Sequence, residues 1–201
     1  MMSTLSTLSC TFINMLKSFL AFFSFWLCIH TVYSQVELYD IGWEKQSWFL
    51  LSAEETEDYF QASLSKQPNL SNEKAELADI RIIKTYLTLS IDQIMAMHVR
   101  DVVRPDHPKA KMTIIEKHSS FQTEFPYVLF TVESQIDQTL GVPRSLLFLI
   151  IKGKNQTNIF CRSKPGKKFK GGIEDKWGEI FQAGIFTEVD WKKFLESLPT
   201  R

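Results

Sequence analysis

The chain has 201 residues, and 23 Lys and Arg balance 23 Asp and Glu, so its formal net charge is zero at pH 7. That balance supplies no global field for nucleic acid or a polyanionic substrate. With 44% hydrophobic residues, the chain has enough apolar material for one domain with a real core.

Residues 1–34 differ from the rest. They hold no acid and one base, Lys17, followed by the apolar run Phe19–Ile29 and then Val32-Tyr-Ser34. A positive start, a short apolar core and small or modest residues before a cut at Gln35 predict a secretory signal peptide. Met15 stands just ahead of this signal and is a candidate true start. The alternative is an uncleaved anchor over residues 18–34, but the run is shorter than the roughly 20 residues that span a bilayer, and His30 interrupts its end. Lipidation at Cys28 is disfavoured because no small residue precedes it. The expected product is an exported protein, periplasmic or extracellular, comprising residues 35–201. Cys161 is then its one cysteine, so no internal disulfide is available and the core must carry stability.

Within 35–201, the short aromatic-rich pieces Gln35–Tyr39 and Gln46–Leu51 flank Gly42 and suggest a strand pair. Ser52-Ala-Glu-Glu55 has the spacing of a capping box, which predicts a helix from Ala53 to Ser65, ending before Pro68, with Tyr59, Phe60 and Leu64 inward. The stretch Asn72–Thr88 reads two ways: helix over Glu73–Ile80, or strand over Ile80–Leu89. Ser90 is a strong N-cap with Gln93 three residues on, and Asp92 suits the first turn. Ile91, Ile94, Met95, His98, Val99 and Val102 recur at helical spacing, and Pro105 and Pro108 limit continuation. Met112–His118, Tyr127–Val132, Leu146–Ile151 and Asn158–Arg162 predict an antiparallel meander, with a hairpin over 152–157. Ile173, Trp177, Ile180 and Phe181 form a helical stripe that Gly184 is placed to end. Asp190 caps a last helix bearing Trp191, Phe194, Leu195 and Leu198.

Chemistry-bearing residues are few. His98, His107 and His118 are about ten residues apart on different predicted elements, without the short spacing that pre-arranges metal ligands, so no metal and no cofactor is expected. Cys161 with one of these histidines, oriented by Glu116 or Glu133, is the candidate nucleophile, and Arg162 and Lys164 are placed to lower its pKa. A lone cysteine in a strand is more often a small buried hydrophobe. Arg162, Lys164, Lys167, Lys168 and Lys170 put five bases in nine residues, with Phe169 among them. This loop is the candidate partner-binding surface, against the plainer reading of a solvated turn. Asp101 and Glu116 form no distinctive acid pair, and the glycines around Gly171 match no nucleotide motif. Asn69-Leu-Ser71 and Asn155-Gln-Thr157 are glycosylation sequons, relevant only in a eukaryotic secretory route.

The order of elements carries a resemblance. Leu89-Ser-Ile-Asp-Gln-Ile-Met opens a helix, the meander and Ile159-Phe-Cys follow, and Lys176-Trp-Gly-Glu-Ile-Phe returns on a late helix. Over roughly Val36–Glu188 this resembles the exported Mog1p/PsbP-like proteins. The resemblance implies an α+β fold, an α/β/α sandwich with an antiparallel sheet between amphipathic helices, and mostly non-enzymatic accessory or partner-binding roles. It transfers no functional residue. A cystatin- or NTF2-like curved sheet is the competing architecture. The functional expectation is an exported non-catalytic accessory protein that binds a partner protein or envelope component, and a membrane only if the N-terminal segment is retained. The alternative is a small hydrolase or metal-dependent enzyme using Cys161 or His98, His107 and His118.

Overall fold

The computed structural model describes residues 35–42, 47–67, 69–119, 123–169 and 172–200. The export and anchor readings of residues 1–34 lie outside the described residues, as do Gln46, Pro68, Lys170, Gly171 and the side chain of Ile173. Nine strands and three α-helices longer than a single turn are described: β1 Gln35–Asp40, β2 Phe49–Glu55, β3 Tyr59–Ser65, β4 Leu77–Ile83, α1 Ile91–His98, β5 Lys111–His118, β6 Tyr127–Ser134, β7 Arg144–Lys152, β8 Thr157–Pro165, α2 Ile173–Gln182, β9 Ile185–Asp190 and α3 Trp191–Glu196. Seven strands form one antiparallel sheet in the order β2-β3-β4-β8-β7-β6-β5, while β1 and β9 make a separate two-stranded ribbon. The fold is a single α+β domain around a large antiparallel sheet.

The meander forms over the apolar, β-branched runs that predict it. In β7, Leu147, Leu149 and Ile151 enter one core, and Leu146, Phe148 and Ile150 enter the other. Period-2 alternation on a strand buried on both faces feeds two cores at once. The first core is closed by the β1/β9 ribbon, α2 and α3, through Tyr39, Trp177, Phe181 and Trp191. The second is closed by α1 and the chain that follows it, through Ile91, Ile94 and Val103.

The helix expected over Ala53–Ser65 is instead the β2–β3 hairpin, with Ala53 paired to Ala62 and Glu55 to Phe60. Thr56 makes the turn: its N–H donates to Tyr59 O at 2.9 Å, and its Oγ1 accepts from Tyr59 N at 3.1 Å. Phe60, Ala62 and Leu64 are buried while Tyr59, Gln61 and Ser63 are not, a strand period that a helix would scramble. The strand pair expected between Gln35–Tyr39 and Gln46–Leu51 also fails, because β1 pairs with β9 and β2 with β3. β2 is an outer strand of the sheet, and the C-terminus partly covers it where Leu50 N–H donates to Pro199 O at 2.9 Å.

The ambiguous stretch resolves as strand β4, preceded by turns that return Lys74 and Ala75 N–H to Ser71 O. At α1 the Ser90–Gln93 capping box is present in both directions. After His98 the helix widens into a π-turn, Val99–Val103, before a last turn over Arg104–Asp106. Pro105 has no N–H to close an α-turn onto Asp101, and a widened turn relieves its ring from that carbonyl. The extra residue shifts the buried face, so Val103 rather than Val102 is buried.

The α2 helix ends at Gln182 with Ala183 as its right-handed C-cap, so Gly184 is not a left-handed stop. A Cβ there would meet the Tyr39 ring at 2.6 Å and Asp40 O at 3.0 Å. Close approach of β1 is what requires glycine. Asp190 caps α3 as expected, accepting from Lys193 N–H at 3.1 Å.

Candidate functional site

The β1 strand does not join the large sheet. It crosses the sheet face, and side chains of the β7–β8 hairpin and β8 supply its bonds. Glu37 N–H donates to Gln156 Oε1 at 2.7 Å and Tyr39 N–H to Asn158 Oδ1 at 3.0 Å, while Asn158 Nδ2 donates to Glu37 O at 2.9 Å. The Glu37 carboxylate accepts from the N–H groups of Lys154 and Asn155 in the hairpin tip. The ribbon is thereby held over the sheet and leaves an open groove of about 550 Å³ beside it.

Aromatic rings build the groove. Phe186 of β9 packs on Phe125 and Tyr39, with centroids 4.7 and 5.0 Å apart. Tyr127, Leu149 and Phe181 also line it, and Ile185 on its lip is 66% exposed. Polar groups gather behind two of its lining residues, Tyr127 and Gln182. Glu116 Oε1 accepts from Tyr127 Oη and from His118 Nε2, each at 2.7 Å, and Gln182 Nε2 donates to Glu116 Oε2. The Tyr127 hydrogen bond, helped by His118, holds the Glu116 carboxyl below its ordinary range. Burial and Glu116 together push the Tyr127 phenol up. Tyr127 is therefore a fixed donor, with its ring stacked on His118 at 4.9 Å. Lys154, the base in the lining, is ion-paired to Glu124 at 3.2 Å.

The candidate residues read from the sequence separate into three places. His118 stacks on Tyr127 of this groove without lining it. His98, His107 and Cys161 line a second cavity on the opposite face of the sheet. His98 is 6% exposed, its ring edge-on to Phe148, and burial draws its pKa down to about 4. Burial also draws His107 down, although Asp137, 3.8 Å away, opposes this. Cys161 is buried, and burial, with Asp79 adding to it, pushes the thiol well above its ordinary range. A nucleophilic thiol requires the opposite shift. No group of three His, Cys, Asp or Glu side chains among the described residues could hold a metal ion.

The basic stretch is the third place. Arg162 is 5% exposed in β8, with its guanidinium 4.0 Å from the Trp177 ring centroid and 5.1 Å from that of Trp48. Arg162 Nη2 donates to Glu76 Oε1 at 2.5 Å. It packs the first core and is not part of the exposed surface. Phe169 lies half-buried, edge-on to Trp177 at 5.5 Å, and Lys164 sits over Phe169 at 5.1 Å. Lys167 and Lys168 are exposed.

The groove escaped sequence reading because it joins residues from β1, β6, β7, α2 and β9. Its one local signal was the density of aromatic residues in Phe125–Tyr127 and Ile185-Phe. No helix among the described residues is long and apolar enough to cross a membrane. No protein-family model matches the chain, and no curated protein matches it significantly.

Proposed function

We infer that the protein is an exported, non-catalytic accessory protein whose aromatic groove holds an apolar segment of a partner or envelope component. The observation that carries this reading is the 550 Å³ groove with its aromatic lining, exposed Ile185 and a Tyr127 held in place from behind by Glu116 and His118. An apolar body with a few fixed polar groups is the usual make-up of a binding site. The chemistry of Cys161 favours the same reading, since its thiol is held protonated, away from the state a nucleophile needs. A sheet covered on both faces is compatible with the Mog1p/PsbP-like sandwich, and that family assignment is part of this proposal.

The test is titration with 1-anilinonaphthalene-8-sulfonate, an apolar anionic probe, followed by fluorescence. Saturable one-to-one binding is expected, weakened about tenfold or more by Ile185→Glu and by Phe125→Ala. Ile185 is largely exposed, so its variant should keep the parent unfolding midpoint. Non-saturable binding, or equal affinity in the Ile185 variant, would overturn the groove as the binding site.

A further inference from the structure

The second cavity, about 310 Å³, lies on the sheet face away from the groove, between β4, β7 and β8 below and the π-turn and His107 above. The groove reading makes no use of it. Its charges are mismatched. Arg144 is 1% exposed, yet among the described residues its guanidinium donates only to neutral oxygens: Asn72 O, Ala75 O and Ser163 Oγ, each at 2.9 Å. Its Nε has no acceptor among the described residues. Burial draws the guanidinium below its ordinary range. Across the cavity, the Asp79 carboxyl accepts from Ser63 Oγ at 2.6 Å, and burial lifts it above its ordinary range. Arg144 feels Asp137 before Asp79, and Asp79 feels Arg81 before Arg144, but the hydrogen bonds described for Arg144 and Asp79 run to neutral partners. A buried guanidinium left in that state beside a half-buried carboxyl is costly and calls for a complement.

The remaining lining narrows the complement. Asp106 and Asp137 in the lining disfavour a simple anion, and Arg81 and Arg144, held at different ends of it, disfavour a simple amine. His98 Nε2 and His107 Nδ1 have no partner among the described residues, and each imidazole can donate or accept there. Leu146, Phe148 and Ile159 give the cavity an apolar wall. Its volume falls at the small end of ligand sites, which run from about 300 to 1,000 Å³.

We propose that this cavity binds a small zwitterion of the α-amino acid class, with its carboxylate on Arg144, its ammonium on Asp79 and its side chain against Leu146, Phe148 and Ile159. Such a ligand bridges the separated acid and base with one charge of each sign, which neither half alone can do. The site is independent of the groove, so failure at one leaves the other standing.

The experiment is calorimetric titration of the purified protein with a panel of free α-amino acids, with acetate and methylammonium as half-ligands. At least one amino acid should bind one-to-one about tenfold or more tighter than either half. The ring resonances of His98 and His107 should move on binding while those of His118 stay. Asp79→Asn removes one charge, and Leu140→Trp fills the cavity from its half-buried rim without touching either charge; each should weaken binding about tenfold. Three results would overturn the proposal: no amino acid binding below about 10 mM, acetate binding as tightly as any amino acid, or unchanged affinity in the Leu140 variant.

Discussion

His98 shows how one buried side chain sets a pH response. Its helix carries it into the second core, where desolvation disfavours the charged ring and Arg81 adds repulsion, so its pKa falls to about 4. In the unfolded chain the same ring titrates near 6.5. Above that pH both states are neutral and the difference is silent. As pH falls from about 6.5 towards 4, the unfolded chain takes up the proton first, and stability drops by up to about 3 kcal/mol. Urea midpoints measured between pH 7 and pH 4 should fall, and His98→Gln should flatten part of that fall. His107 shifts in the same direction and accounts for a remainder. An unchanged slope in the variant would show that His98 is not buried neutral. Arg162 makes the complementary point, since a base read as surface charge is spent between two indoles and Glu76.

At the scale of elements, two Ser-x-x-acid/amide patterns had opposite outcomes. Ser90 and Gln93 cap each other reciprocally at α1, whereas Ser52 and Glu55 lie exposed on strand β2. The difference was present in the residues beyond the motif. After Ser90 the apolar residues recur every three or four positions, while after Thr56 they alternate as Phe60, Ala62 and Leu64. Ser90→Ala should therefore cost about 1 kcal/mol, and Ser52→Ala no more than about 0.5 kcal/mol, both from urea unfolding. Equal losses would contradict the hairpin. The capping motif is a weak signal when the pattern that follows has the wrong period.

At the scale of the whole molecule, the sheet separates two cavities: an aromatic groove beside the β1/β9 ribbon, and a polar cavity under the π-turn. The export proposal belongs here too. Protein recovered from its own host should have an intact mass beginning at Gln35, and a mass retaining the N-terminal segment would replace export by anchoring.

By itself, the sequence determined the central meander, the α1 cap and both C-terminal helices. Each of these depends on period, spacing or composition among near neighbours, which local sterics and burial translate directly. Only the tertiary structure decided that β1 pairs with β9, that Gly184 yields to Tyr39, and that His98, His107 and Cys161 line one cavity while His118 stacks on Tyr127 away from them. Those outcomes depend on contacts between residues up to about 150 positions apart, such as Thr187 with Leu38. They are selected by which packing buries the most apolar surface with its polar groups satisfied, and no local pattern encodes that choice.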